Sequence, residues 1–246
     1  MGQLYLNHTG GYGGKNLVNH VKKSRLLITG SEGMIGRIIT NYLKDRRYNF
    51  ITELDKKNPR SHVDILYDDI VPYFREIDSV IHLAANANPF IEKEEADKNV
   101  EMVRRVIGTC RNSNVKRIIN ASSINVYPYK ELDKITRETK LEPNRSFNRE
   151  GHYGRAKIEC EGLFEEYCLR NNVSLINLRF GWVTKNDKYP VHKDEKCDTR
   201  DFDIELKQDD LIKIIEKSLE YEGIGSYVCV SKRGGLVDDS VRFPIN

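Results

Sequence analysis

Long apolar runs are missing from this chain of 246 residues, and none approaches the ~18 that a membrane-spanning helix needs. The first residues carry Gly, Asn, His and Tyr where a secretory signal would place its apolar core, so no export signal is expected. Paired cysteines are missing too. Cys110, Cys160, Cys168, Cys197 and Cys229 are odd in number, scattered, and form no Cys-x-x-Cys, which leaves neither a metal site nor a disulfide framework to expect. They read as reduced thiols of a cytoplasmic protein, and the sequon-like Asn7-His8-Thr9 then has no bearing. Nor does charge of one sign dominate: 40 Lys and Arg stand against 37 Asp and Glu, a net +3 without a basic block. Nucleic acid and an anionic membrane surface are therefore not expected as partners.

What is present is organised around Arg25–Gly36. Arg25 to Thr29 is the short apolar run of a buried parallel strand. It breaks at Gly30, with Gly33 and Gly36 following at intervals of three, and Ile35, Ile38, Ile39 and Leu43 then recur at helical spacing. Glycines between a strand and a helix suit phosphate binding. Gly30 allows the tight turn, Gly33 allows a pyrophosphate close to the backbone, and the helix start offers free N–H groups and a positive dipole end. Glycine turns also join strands to helices with no ligand present, so it is the strand–turn–helix context that favours a nucleotide.

Met1–Ser24 precedes this strand, and Gly10, Gly11, Gly13 and Gly14 mark it as a mobile arm, disordered rather than capping a site. Tyr48–Leu54 is a second strand candidate ending at Asp55, which lies 19 residues past Gly36. That is close to the ~20 at which an acidic residue accepts the adenosine ribose hydroxyls. A carboxylate there repels a 2′-phosphate, so NAD is favoured over NADP; Lys56 and Lys57 soften that preference, and a solvated Asp-Lys-Lys turn is the plainer alternative. The short segment His62–Leu66 holds Asp64-Ile65. Asp78–Ala85 is a clearer strand whose small terminal residues admit a ligand to the backbone, and His82 inside it reads as a core histidine. A helix over about Glu92–Cys110 and a strand over Val115–Ala121 continue the alternation, which predicts an α/β doubly wound parallel sheet.

The chemistry comes next. The strand Val115–Ala121 delivers Ser122 and Ser123 to the carboxyl edge of the sheet. Further on, Leu163, Phe164, Tyr167 and Cys168 predict a helix over His152–Arg170, which places Tyr153 and Lys157 on one face at i and i+4. An ammonium beside a phenol favours the ionised phenol, and a tyrosine so placed can take a proton from a hydroxyl or give one to a carbonyl. Ser123 would hold the same oxygen. A Tyr and a Lys four apart on a helix are usually just solvated surface. Here they follow a glycine loop, a ribose carboxylate and a strand-end Ser-Ser, and the joint pattern favours chemistry.

Taken together, Thr29–Gly36, Asp55, Asp64-Ile65, Asp78–Ala85, Asn99-Val100, Ser122-Ser123 with Val126-Tyr127, Tyr153-x-x-x-Lys157 and Leu178-Arg179 resemble the extended short-chain dehydrogenases/reductases of the NAD-dependent epimerase/dehydratase superfamily. The resemblance covers about residues 25 to 185. It implies a Rossmann-type domain over 25–183 and a short substrate lobe over 184–246, partly interleaved with the sheet. The pyrophosphate would lie in the loop Gly30, Glu32, Gly33, Met34, Ile35 and Gly36, the ribose on Asp55, and the adenine along Asp64 and Ile65. Leu83, Ala84, Ala85 and Asn99 would line the rest of the cofactor, with Lys157 on the nicotinamide ribose. Tyr153 would be general base or acid with Ser123 as partner, and Asn86, Ser123, Asn125 and Arg179 would face the substrate. A homodimer through the two long helices is implied by resemblance only.

Only some 60 residues follow Val183, a brevity that resembles uronate dehydrogenase-like members acting on free sugars. Arg179 has three readings: a substrate carboxylate, a phosphate, or support of the fold. Ser123-Ile124-Asn125 stands where those members carry Ser-Asn-His, so two polar substrate contacts differ. Lys185–Arg200 is expected as a loop over the site, Asp209–Tyr221 as an amphipathic helix, and Ser226–Val230 as a last strand. No closing helix follows, which leaves substrate residues absent or supplied by another subunit. The leading expectation is an NAD-dependent sugar oxidoreductase. The alternatives are a nucleotide-sugar epimerase or dehydratase that retains its NAD, and a catalytically inactive NAD-binding sensor.

Overall fold

The computed structural model describes residues 24–46, 48, 50–127, 151–183 and 205–231. The expected N-terminal arm, the loop Lys185–Arg200 and the end of the chain lie outside these residues. The first strand, β1 (Leu26–Thr29), pairs on one side with β2 (Ile51–Leu54) and on the other with β3 (Ser79–His82). Next come β4 (Arg117–Ser123), β5 (Ser174–Phe180) and β8 (Ile224–Cys229), giving a six-stranded, all-parallel sheet in the order β2-β1-β3-β4-β5-β8. A small pair, β6 (Trp182–Val183) and β7 (Glu205–Leu206), stands apart from it.

Among the described residues four α-helices cover the sheet on both faces: α1 (Met34–Asp45), α2 (Lys93–Cys110), α3 (His152–Asn171) and α4 (Gln208–Ser218). Strand side chains alternate, so each strand feeds two cores. Leu27, Val80, Ile118 and Leu175 pack with Val103, Val106 and Phe164 on the α2/α3 side. Leu26, Ile28, Ile81, Ile119 and Ile176 pack with Ile39, Leu43, Leu211 and Ile214 on the α1/α4 side. Burial on both faces is why these strands read as unbroken apolar runs.

The doubly wound α/β sheet is the one the sequence implies, with shifts at the ends of elements. The second strand starts at Ile51 rather than Tyr48. The fourth runs to Ser123 rather than Ala121, because Ser122 and Ser123 pair in register with Arg179 and Phe180. Residues 62–64 have no regular structure and lead into a turn at 65–67, where Asp64 Oδ1 accepts from the Leu66 N–H at 2.9 Å. The last strand begins at Ile224, and α4 ends at Ser218. Within the sheet a polar row crosses the strands, at the carboxyl ends of β1 and β3 and in the middle of β4, β5 and β8: Thr29, His82, Asn120, Asn177 and Ser226 are register partners in turn. Asn120 Nδ2 donates to Asn177 Oδ1 at 2.9 Å and Asn177 Nδ2 to Ser226 Oγ at 3.1 Å, which satisfies amides that would otherwise be buried without partners.

Candidate active site

The carboxyl edge of the sheet carries a cleft of about 510 Å³ between the β1–α1 loop, the end of β2 and the end of β3. Gly30 sits there at φ +70°, and a Cβ on it would lie 2.7 Å from the Ala84 backbone nitrogen. A Cβ on Gly36 would lie 2.2 Å from the Gly30 carbonyl oxygen. The loop therefore closes onto β3 and onto α1 at the two positions where a side chain has no room. Gly33 differs: its Cβ would meet only the Gly30 oxygen, at 3.2 Å. Gly33 also caps α1 with no side chain bonded over the helix start, leaving the first-turn N–H groups of the helix to a ligand.

Of the cofactor residues inferred from sequence, Gly30, Glu32, Gly33, Asp55, Asp64, Ile65, Leu83, Ala84, Ala85 and Asn99 line the cleft, as does Asn86 from the substrate set. Met34, Ile35 and Gly36 belong to the first turn of α1, with Ile35 packed against the core. Asp55 is held at the mouth of the loop. Its Oδ2 accepts from the Glu32 N–H at 3.0 Å and its Oδ1 from the Lys57 N–H at 2.8 Å. Glu32 is fixed in turn by Arg37 and Asn58. Asn99 grips the Asn86 backbone at both polar groups, accepting its N–H at 2.8 Å and donating to its carbonyl at 3.0 Å. It thereby shapes the cleft wall as well as facing it. Lys56, Lys57, Tyr67, Glu95 and Lys98 are further polar residues of the lining.

Ser123 ends β4, the strand next to β3, and Tyr153 and Lys157 lie on α3; all three are buried. Lys157 Nζ donates to the Ala121 carbonyl at 2.7 Å and stands 5.6 Å from the centre of the Tyr153 ring. Between them, α3 presses on the turn after β4: a Cβ on Gly154 would lie 2.2 Å from the Asn125 carbonyl oxygen. Contacts from α3 thus bracket Ser123 two residues before and two residues after it. Ser123 Oγ also caps the 3₁₀ turn Ile124–Val126 by accepting the Asn125 N–H at 3.2 Å. His82 is a core residue in edge contact with Phe164, and burial together with the charge of Lys157 lowers its pKa to about 3.

Residues 26–184 match the NAD dependent epimerase/dehydratase family. The chain belongs to that family. Among its relatives, L-arabinose 1-dehydrogenase (NAD(P)(+)) of Haloferax volcanii is 26% identical over 187 residues, covering 70% of this chain and 72% of the relative. Uronate dehydrogenase of Pseudomonas putida is 24% identical over 213 residues, covering 82% of this chain and 74% of the relative. In fold, the chain is similar to glucuronic acid dehydrogenase from Chromohalobacter salexigens, with TM-score 0.66, 20% identity and coverage of 86% and 78%. UDP-glucuronic acid 4-epimerase from Bacillus cereus in complex with NAD is similar at TM-score 0.64, 20% identity and coverage of 85% and 78%.

The residues present fit the family's dinucleotide. The space left open above Gly33, the uncapped start of α1 and the fixed carboxylate of Asp55 have the room and the polarity that a pyrophosphate and a ribose would need along one wall. Arg179 departs from the expected substrate set. Its side chain is buried, with Nε and Nη2 donating to Glu161 at 3.0 and 2.8 Å and Nη1 to the Tyr127 hydroxyl at 2.6 Å. The guanidinium is thus bonded to a carboxylate and a phenol of the protein itself, the arrangement that the fold-supporting reading of Arg179 expects. Neither Glu161 nor Tyr127 is in the sequence-based site. The signal that could have found Glu161 is its place one helical turn beyond Lys157 on α3.

Among the described residues Cys110, Cys160, Cys168 and Cys229 are free and buried. Burial pushes the Cys160 thiol up to about 11 and those of Cys110 and Cys168 up to about 12, so they behave as packing groups rather than nucleophiles. No described helix is long and apolar enough to cross a membrane.

Proposed function

We propose that this chain is an NAD-dependent dehydrogenase of a free sugar or sugar acid. The observation that supports the reading is the clasp of α3 on the end of β4, with Lys157 on Ala121 and Gly154 on Asn125, which sets Tyr153 and Ser123 beside the dinucleotide cleft. When bound, NAD supplies the hydride acceptor. Ser123 holds the substrate hydroxyl, and Tyr153 takes its proton as the carbon–oxygen double bond forms and the hydride leaves the same carbon. Lys157 places a cation 5.6 Å from the centre of the Tyr153 ring. The pyrophosphate would rest on Gly30 and Gly33, and the adenosine ribose on Asp55.

NAD is preferred over NADP because the Asp55 carboxylate stands where a 2′-phosphate would bring more negative charge. The sugar is read by neutral hydrogen-bonding groups, Asn86, Ser123 and Asn125, since Arg179 is held by Glu161. A cytoplasmic location and a homodimer through the outer faces of α2 and α3 belong to the same proposal, the second to be tested by sedimentation of the purified chain. The test of function is nicotinamide absorbance with NAD and a panel of L-arabinose, D-glucuronate, sugar phosphates and UDP-sugars, with Tyr153→Phe as control. NADH formed with a free sugar and absent in the variant is the expected result. Interconversion of a UDP-sugar without net NADH would replace this reading with an epimerase, and tight NAD binding with neither outcome would replace it with a sensor.

A further inference from the structure

Near the site lies a buried ion pair, Glu161–Arg179, whose side chains are each only 8% exposed. Glu161 Oε1 accepts from both Ser122 Oγ and Arg179 Nε, Oε2 accepts from Arg179 Nη2, and Arg179 Nη1 bonds to the Tyr127 hydroxyl. The guanidinium also lies 5.3 Å from the centre of the Tyr127 ring. Two charges taken out of water in this way contribute little to stability compared with an apolar pair of the same volume. Stability alone therefore does not account for them.

Their placement does. Ser122 immediately precedes Ser123, and Tyr127 follows the 3₁₀ turn that Ser123 caps. Glu161 follows Lys157 by one turn of α3 and Tyr153 by two, while Arg179 is the register partner of Ser122 on β5. The helix thus carries two successive rungs to two successive residues of β4: Lys157 to the Ala121 carbonyl and Glu161 to the Ser122 hydroxyl. With one rung the helix can still pivot about it. With two, its rotation and its height along the strand are both set.

We propose that Glu161 and Arg179 are positioning residues for the Ser123–Tyr153–Lys157 site, locking α3 against the end of β4, and that Arg179 does not contact the substrate. The kinetic part rests on the dehydrogenase reading above; the positioning part does not. A displacement of about 1 Å at reacting groups lowers rates by roughly a hundredfold.

The test uses the full chain with NAD and the double variant Glu161→Leu/Arg179→Met, which exchanges the pair for apolar side chains of similar size. Three quantities are read: NAD affinity from quenching of protein fluorescence, kcat and KM with whichever of L-arabinose and D-glucuronate the unmodified chain oxidises, and the ionisation of Tyr153. The last comes from the phenolate absorbance difference with and without Tyr153→Phe in each background. The expected result is NAD affinity within about twofold, kcat lowered by about 10- to 100-fold with KM nearly unchanged, and a displaced Tyr153 ionisation midpoint. A folded double variant with unchanged kcat and midpoint would overturn the proposal. So would a rise in KM confined to D-glucuronate, which would return Arg179 to the substrate. If the unmodified chain oxidises neither sugar, the dehydrogenase reading loses its support and the Tyr153 midpoint alone decides on positioning. If the double variant does not fold, Arg179→Lys, which keeps the charge and loses the two-pronged bond, decides by the same readouts.

Discussion

Thr29 Oγ1 lies 2.9 Å from His82 Nδ1, joining the ends of β1 and β3. The same hydroxyl oxygen accepts the N–H of Ala84 at 3.3 Å and shares that of Leu83, at 3.2 Å, with the Thr29 carbonyl at 3.1 Å. With a neutral ring bare at Nδ1, the charge state that burial of His82 favours, the bond runs from the hydroxyl to the ring. The hydroxyl also fixes the backbone of Ala84 beneath Gly30, where the loop has no room for a side chain.

A pH dependence of stability follows from the burial of His82. His82 titrates near 6.5 when unfolded and is lowered to about 3 in the fold, first by burial and then by Lys157. Above the unfolded value the ring is neutral in both states. As pH falls below it, the unfolded chain binds a proton that the folded chain refuses until about 3, so stability declines through that window. The decline from this group reaches about 1.4 kcal/mol per pH unit at most. Urea unfolding of the chain and of His82→Asn, at several pH values across the window, should give a shallower slope in the variant. Equal slopes would remove His82 as the cause.

Two glycines of one loop should fail differently. A methyl group on Gly36 would lie 2.2 Å from the Gly30 oxygen and 2.8 Å from Ser31 Cα, both backbone atoms with nowhere to move. Gly36→Ala should therefore lose roughly 3 kcal/mol or more of stability, as overpacked sites do. On Gly33 the methyl meets one oxygen at 3.2 Å and otherwise points into the open cradle. Gly33→Ala should keep its thermal midpoint within a few degrees and lose NAD affinity by about tenfold or more, because the pyrophosphate can no longer approach the backbone. A Gly33→Ala protein that binds NAD normally would place the dinucleotide elsewhere.

Removing the Tyr153 hydroxyl should separate chemistry from binding. Tyr153→Phe keeps the ring beside Lys157 and takes away the proton acceptor. Turnover should fall by roughly 10² to 10⁴, the usual contribution of general acid–base catalysis, with NAD affinity unchanged. A fall in NAD affinity that matched the fall in turnover would point to a binding role instead.

What was legible in the sequence depended on how local its cause is. The loop Gly30–Gly36 and the pair Tyr153–Lys157 are short-range patterns set by a turn and by one helical repeat, and both sit where that logic puts them. Strand ends were less legible, since Ser122 and Ser123 extend β4 only because β5 offers Arg179 and Phe180 in register, a fact about a segment more than fifty residues away. Arg179 was open for the same reason. An arginine at a strand's carboxyl end serves an anion of the substrate or one of the protein, and only the fold brings Glu161 within 2.8 Å of it. The polar row from Thr29 to Ser226 was hidden altogether, because its members are single polar residues in five separate apolar runs that become neighbours on pairing.

The choice between NAD and NADP should turn on Asp55. Its two oxygens each accept one backbone N–H, from Glu32 and Lys57, and a carboxylate has further lone pairs for the ribose hydroxyls. Asp55→Asn keeps one acceptor oxygen and removes the negative charge, leaving Lys56 and Lys57 beside the cleft without it. The ratio of NADP to NAD affinity should rise by about tenfold, a difference of about 1.4 kcal/mol, mostly through weaker repulsion of the 2′-phosphate. Because Lys56 and Lys57 are exposed, whatever attraction they add is screened by salt, so the gain in NADP affinity should shrink at high ionic strength while NAD affinity changes little. Titration of both dinucleotides into both proteins at low and high salt measures each part. A ratio that does not move on removing the charge would mean that the adenosine ribose does not lie against Asp55, and that discrimination rests on the lysines alone.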